Sequence, residues 1–296
     1  MSRTTANLLL LLAAAIWGTA FVAQKLGAEH LGPMLFTGLR FLVGALVVLP
    51  LALREARRAR WSRADWGGMA ATGGALFCGA ACQQIGIGMT TATNAGFLTA
   101  LYVPLVPLIG LLALRMPPHP VVWPAAAGSL VGTWMLGGGG TVALAAGDLW
   151  VMVSAVFWAL HVILVGSMAA RTGAPVLVAA VQFLVCGALS TAVGLATEAA
   201  DLAAVQAAGG AILYVGVLSV GIAFTLQVVG QHHAPASDAA VIISSESVFA
   251  AAAGALVLGE RLTSLQLAGC ALIMTCILAV QLLPGRRGAE RAAEAG

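Results

Sequence analysis

Few side chains in this sequence can do chemistry, and the most informative is a carboxylate in an apolar setting. Glu246 lies eleven residues from Pro235 and twelve from Leu258 in a run of small and aliphatic residues. A glutamate so far from either end of a helix cannot reach the interface, so it must be protonated, paired or turned towards a water-filled cavity. Two uses stay open for it: contact with a solute or a gate, and a structural hydrogen bond. Arg40 is the basic counterpart, seven residues beyond Pro33, or about 10 Å into a helix at 1.5 Å per residue. An arginine there can snorkel, cap carbonyls, gate or touch a substrate.

Around these two charges, polar and aromatic residues recur at helical spacing. Ser154, Trp158 and His161 fall at i, i+4 and i+7, and Trp17 with Gln24 marks a comparable face. Gln83 and Gln227 add amides, Thr99 and Tyr102 share a face, and Ser244 and Ser245 precede Glu246. The candidate substrate-binding set is therefore Trp17, Gln83, Thr99, Tyr102, Trp158, His161, Gln227, Ser244, Ser245 and Glu246. Pro104 and Pro107 lack equivalents in the Glu246 segment and are candidate hinges, so they join Arg40 as gating or structural residues. Gly128 and Gly132 form a small-xxx-small pair that permits close helix contact. His232 and His233 fall at a turn, where simple solvation accounts for them.

Catalysis and metal binding find no support. There is no Gly-x-Ser-Gly run, no His-Glu-x-x-His helix and no second deep acid, since Asp148 lies at the edge of its apolar stretch. The five cysteines, Cys78, Cys82, Cys186, Cys270 and Cys276, read as free buried thiols. Cys78 and Cys82 share a helix face but have no His or acidic neighbours to complete a metal site. No cofactor is expected, and an intramembrane enzyme is the weaker reading from another class.

The elements that position these residues are membrane helices. The chain is 60% apolar and 8% charged, against about 25% charged in an average soluble domain. Apolar stretches predict ten spans: Ala6–Gln24, Pro33–Leu53, Gly67–Gly86, Ala92–Leu114, Val121–Leu136, Leu149–Ala169, Pro175–Thr197, Gly209–Gln231, Pro235–Leu258 and Thr263–Leu283. With the N-terminus inside, Arg3, Arg54, Arg57, Arg58, Arg60, Arg63, Arg115, Arg171, Arg286, Arg287 and Arg291 fall on the cytoplasmic side, and Lys25 and Arg261 outside. That asymmetry predicts cytoplasmic termini in a bacterial inner membrane. The Arg-rich stretch 54–63 then reads as a topology signal beside anionic lipid rather than a nucleic-acid patch.

Sliding the chain against itself by 141 to 144 residues places Trp17 over Trp158, Arg40 over Gln182, Gln83 over Gln227, Gly86 over Gly230, Asn94 over Asp238 and Gly110 over Gly254. Residues 1–140 and 141–296 are thus expected to be two five-helix repeats, and an odd helix count inverts the second relative to the first. Inverted pairs build many secondary transporters, with a site near the midplane. The repeat also argues that the first apolar run, which imitates a signal peptide, is retained.

The stretches Ala15-Ile-Trp-Gly-Thr-Ala-Phe, Phe36-Thr-Gly-Leu-Arg-Phe-Leu, Gly147-Asp-Leu, Ser244-Ser-Glu-Ser-Val-Phe and Leu258-Gly-Glu-Arg-Leu-Thr resemble the EamA-type drug/metabolite transporters, over nearly the whole chain. The resemblance implies a ten-helix carrier with both ends cytoplasmic that exports amino acids or related metabolites. Two departures are Ser247, where many relatives carry Pro, and Arg115-Met-Pro-Pro, where they carry an acid. The expected function is alternating-access export of amino acids, including larger neutral or aromatic ones. One lysine and one deep arginine offer little to a multivalent phosphate. Proton-coupled efflux of lipophilic cations is the alternative, because Glu246 near Trp and Tyr could hold one. A channel would need a filter loop or a charged ring, and neither is present. The expected partners are a small solute and the lipid bilayer, with no nucleic acid; oligomeric state leaves no mark in the sequence.

Overall fold

The structure is a computed structural model that describes residues 1–90, 92–115, 117–140, 146–199, 201–257 and 261–294. Among the described residues every regular element is helical: α1 (Arg3–Ala28), α2 (Pro33–Ala56), α3 (Arg63–Met89), α4 (Ala92–Thr99), α5 (Tyr102–Leu114), α6 (Val122–Leu136), α7 (Ala146–Thr172), α8 (Pro175–Thr197), α9 (Leu202–Ala207), α10 (Gly209–Tyr214), a π-helical segment (Val215–Phe224), α11 (Thr225–Gln231), α12 (Ala236–Ile243), α13 (Glu246–Val257) and α14 (Ser264–Glu294). Leu258, Gly259, Glu260 and Met116 of the sequence motifs lie outside the described residues. So do the surroundings of Gly254 and the side chains of Asn94, Arg286, Arg287 and Arg291.

Among the described residues, seven helical stretches are long and apolar enough to cross a membrane: Arg3–Ala28, Pro33–Ala56, Ala95–Ala113, Ala146–Thr172, Pro175–Thr197, Gly209–Gln231 and Ser264–Leu283. Three of the predicted spans are not among them, each for a visible reason. α3 has the length but is rich in glycine and alanine, α6 has 15 residues, and Pro235–Leu258 ends outside the described residues. Large aliphatic side chains stand on the outside, Leu112 at 72% exposure among them, as suits a lipid-facing surface.

Two long helices finish each other. α2 and α8 both begin with proline and have no side-chain cap of their own. Glu198, just past α8, accepts from the Met34 and Leu35 N–H groups at 2.8 and 2.9 Å, while Glu55 near the end of α2 accepts from Leu177 N–H at 2.9 Å. Each carboxylate meets the positive end of its partner's dipole. Between those ends glycines admit close contact, Gly38 against Thr191, Gly187 against Leu42 and Gly194 against Leu35, so the two helices run antiparallel.

The same reciprocity recurs elsewhere. A side chain at Gly86 would strike the Gly147 carbonyl at 2.7 Å, with Val151 beside it. One at Gly230 would meet Leu10 at 2.9 Å and the Ala6 carbonyl at 3.2 Å. Gly147 and Val151 stand 141 residues after Ala6 and Leu10, and Gly230 stands 144 after Gly86. Gly128 and Gly132 are where α14 approaches α6, against Cys276 and Ile273.

Two stretches are broken near their middles. α4 gives way to α5 at Ala100–Leu101, and α12 to α13 at Ser244–Ser245, 144 residues later. Pro104 accounts for the first. It has no N–H to give the Ala100 carbonyl, and its ring crowds that group; Val103 N–H takes it instead at 3.0 Å. The second break has no proline and so went unforeseen. There the Ser244 and Ser245 hydroxyls donate to the Val241 and Ile242 carbonyls at 2.6 and 2.7 Å, a back-bonding that loosens helices.

Candidate functional site

The breaks, the π-helical segment and the centres of α1, α2, α3 and α7 surround one cavity. Its wall includes Trp17, Phe21, Gln24, Arg40, Phe41, Gln83, Thr99, Tyr102, Trp158, Val162, Ser219, Val220, Phe224, Gln227, Ile243 and Glu246. The space open to the centre of a water molecule is about 70 Å³. Five pairs in this wall are related by the displacement of 141 or 144 residues: Trp17 and Trp158, Phe21 and Val162, Gln83 and Gln227, Thr99 and Ile243, Tyr102 and Glu246. In the last pair each residue is the first of the second half of its broken stretch.

The aromatic side centres on Phe224. Trp17 meets it edge-on at 4.6 Å between centroids, Trp158 stacks at 5.9 Å, and Phe41 is tilted at 5.8 Å. The Trp17 indole N–H donates to the Ser219 carbonyl at 3.2 Å, a group in the π-helical segment. Such segments often mark functional positions because they shift the register of the side chains that follow.

The polar side is partly spent. The Gln83 amide donates to the Thr99 hydroxyl at 3.0 Å, and the Tyr102 hydroxyl donates to the Ala240 carbonyl at 3.4 Å. Arg40, 4% exposed, donates to the Gln24 amide oxygen, with its guanidinium 5.3 Å from the Phe41 ring centroid and 5.6 Å from that of Phe36. Gln24 is braced in turn, since its amide donates to the Ala20 carbonyl at 3.4 Å and its own carbonyl accepts from Gln84 at 3.2 Å. Buried atoms without partners remain at Arg40 Nε, Trp158 Nε1 and Gln227 Oε1. Glu246 has no side-chain hydrogen bond or ion pair among the described residues, so the structural hydrogen bond considered for it is not made here.

Seven of the ten candidate substrate residues, Trp17, Gln83, Thr99, Tyr102, Trp158, Gln227 and Glu246, line this cavity together with Arg40. His161, Ser244 and Ser245 do not. His161 is fully buried with Nε2 2.8 Å from the Gln182 amide oxygen, joining α7 to α8. The two serines spend their hydroxyls on their own helix. Ser154 does the same, 2.6 Å from the Val151 carbonyl, so the expected Ser154–Trp158–His161 wall reduces to Trp158. Pro104 sets the break without reaching the cavity, and Pro107 lines a second one.

That second cavity, about 580 Å³ on the same measure, includes Arg3, Val106, Pro107, His119, Gln231, His232, His233 and Asp238 in its wall. Arg3 bridges it to Asp238 at 2.7 Å. Burial, and then the neighbouring His233, lower the pKa of His232, while His233 is exposed. Among the described residues no group of three His, Cys, Asp or Glu could hold a metal.

Sequence reasoning missed Phe41, Ser219 and Phe224. Phe41 could have been found as the aromatic residue directly following Arg40 in the sequence. Ser219 and Phe224 could not, because their orientation depends on the π-helical register.

Comparison with known proteins places this site in context. The chain matches the EamA-like transporter family twice, over residues 4–138 and 145–281. An uncharacterized transporter of Archaeoglobus fulgidus is 31% identical over 284 residues, covering 95% of this chain and 87% of that protein. One of Bacillus subtilis is 26% identical over 293 residues, 97% of each. A crystal structure at 24% identity shares the fold, with a TM-score of 0.79 over 97% of this chain and 99% of that one. A helical, multi-pass membrane chain with its polar residues gathered at an internal cavity, matched to that family along nearly its whole length, belongs to the EamA-like transporters.

Proposed function

We propose that this transporter exports amino acids or related small metabolites, larger neutral and aromatic amino acids included, through the central cavity by alternating access. One observation carries the reading: a single cavity is lined by pairs of residues from both halves of the chain, with aromatic faces on one side and amides, a hydroxyl, a guanidinium and a carboxylate on the other. Aromatic and apolar walls suit a variable side chain, and a few convergent polar groups suit a zwitterionic head. The substrate contacts are Trp17, Gln83, Thr99, Tyr102, Trp158, Gln227 and Glu246, with Arg40 as a pole of the site.

The carrier comprises ten spans in two inverted repeats, residues 1–140 and 141–296, in a bacterial inner membrane with both termini cytoplasmic. Support comes from the antiparallel α2 and α8 that cap each other, the matched Gly86 and Gly230 contacts, and the two breaks 144 residues apart. Discontinuous helices beside a midplane site are a recurring feature of inverted-repeat transporters. The export direction rests on the resemblance.

Proteoliposomes loaded with a panel of labelled amino acids, with and without a proton gradient, test this. Efflux of neutral and aromatic amino acids above that of empty liposomes is expected. Movement of a quaternary cation against a proton gradient, with no amino acid moved, would transfer the assignment to cation efflux, which an unpaired Glu246 beside Trp17 and Trp158 would then explain.

A further inference from the structure

We propose that the central cavity holds two separate charge-specific subsites, Arg40 for a carboxylate and Glu246 for a cationic nitrogen, and so favours a linear zwitterion whose opposite charges are several bonds apart, such as an ω-amino acid or a basic amino acid. The inference rests on the cavity being the transport site and goes further by assigning its two poles and the spacing between them.

The first observation is that the poles do not satisfy each other. Arg40 and Glu246 line the same small cavity, yet among the described residues neither makes an ion pair within 4.0 Å; the two ion pairs found are Arg3–Asp238 and Arg171–Asp65. Besides the Phe36 and Phe41 rings, Arg40 has one hydrogen-bond partner, the neutral Gln24 amide oxygen, and a buried Nε with none. A buried cation without a counter-ion is costly and a buried carboxyl without one favours its neutral form, so a ligand carrying both charges answers Arg40 and lets Glu246 ionise against its nitrogen. A lone cation would leave Arg40 unanswered, and a lone anion would leave Glu246.

The second observation sets the spacing. Helix α1 serves as a ruler: the guanidinium is registered against Gln24, and the Glu246 backbone against Gly18, where an added side chain would meet the Glu246 carbonyl at 2.7 Å. The Gly18 and Gln24 backbones stand six residues apart, about 9 Å at 1.5 Å per residue, a span that the Gln24 amide shortens by reaching back to the Ala20 carbonyl. α1 and the α12–α13 stretch run the same way, since Arg3 meets Asp238 near their starts and Gly18 meets Ala250 further along. Helical side chains tilt towards the N-terminus, so Glu246 leans away from the Gln24 level. The ammonium and carboxylate of an α-amino-acid head are carried on one carbon, so the head of leucine engages one subsite where a linear zwitterion engages both. Trp17 and Phe21 fall on α1 around and between the two levels, and their rings give an apolar stem a wall to cross.

Leucine uptake into proteoliposomes, with 6-aminohexanoate, hexanoate and hexylamine as competitors, tests the assignment. A charge-assisted contact contributes enough that 6-aminohexanoate is expected to compete about tenfold better than either single-charge analogue. Glu246→Gln is expected to bring it down to the level of hexanoate, and Arg40→Gln to that of hexylamine. Arg40→Lys, which keeps the charge if Arg40→Gln fails to fold, retains the preference. A merely structural role for either residue would lower all competitors together. Leucine uptake with 6-aminohexanoate no better than hexanoate, or with a preference unchanged in Glu246→Gln, overturns the two-pole site and leaves the transport reading standing. A folded protein that moves or binds none of these compounds overturns both.

Discussion

A hydroxyl or imidazole inside a helical membrane protein has two possible clients, the solute and the protein, and here the protein often wins. Ser244 and Ser245 were expected beside the solute because they precede Glu246, but each bonds a carbonyl of its own helix. His161 is claimed by Gln182. Spacing could place these residues on a face, but it could not reveal that a partner nearer at hand satisfies them. Trp17, Gln83, Thr99, Tyr102, Trp158, Gln227 and Glu246 were legible because large aromatics, amides and a carboxylate at buried positions exceed what the backbone alone can absorb. Glu246→Gln is expected to impair transport by removing the charge, and Glu246→Ala to impair it further by also emptying space beside Tyr102, as initial uptake rates of the two variants would show. At the edge of α3, the Ser62 hydroxyl and N–H, followed by Arg171, hold the Asp65 carboxyl below its usual range. A depressed carboxylate stabilises the fold above its ordinary pKa near 4 and loses that contribution as pH falls through the lowered value. Asp65→Asn is therefore expected to lower Tm slightly at neutral pH, with the difference closing in acid; a difference that persists in acid would count against this.

At the scale of the elements, the helices were visible and their interruptions were only half so. A bend was expected from Pro104 and Pro107, and Pro104 does break the stretch at Ala100. The matching break at Ser244 has no such signal, because serine back-bonding depends on rotamers that a sequence does not display. Pro104→Ala restores a donor for the Ala100 carbonyl, so thermal stability is expected to rise, by about 1 kcal/mol or more, while the transport rate falls. A variant with both properties unchanged would remove the break from the mechanism. The reciprocal caps give a cleaner pair. Glu55→Ala and Glu198→Ala are each expected to cost about 1 kcal/mol, of similar size because each ends a comparable helix, and chemical unfolding in detergent would compare them. Strongly unequal costs would argue that the two ends are not equivalent.

For the whole molecule, the displacement of 141 to 144 residues was weak as a string of letters and gains weight as geometry. Gly86 and Gly230 were matched by identity alone; in the structure each presses on residues that are themselves 141 apart. Ten spans were expected and seven described stretches are long and apolar enough to cross a membrane; a glycine-rich helix and a 15-residue helix depart from the long apolar pattern on which such counting relies, and Pro235–Leu258 ends outside the described residues. The central claim, that the cavity between the halves opens to each side in turn, is tested most directly by a single cysteine at Thr99 in a cysteine-free background. A membrane-impermeant maleimide is applied to vesicles of each orientation, with and without a transported amino acid. The account expects labelling from both sides and protection by the amino acid from both. Labelling from one side only, or from neither in a protein that still transports, would contradict it.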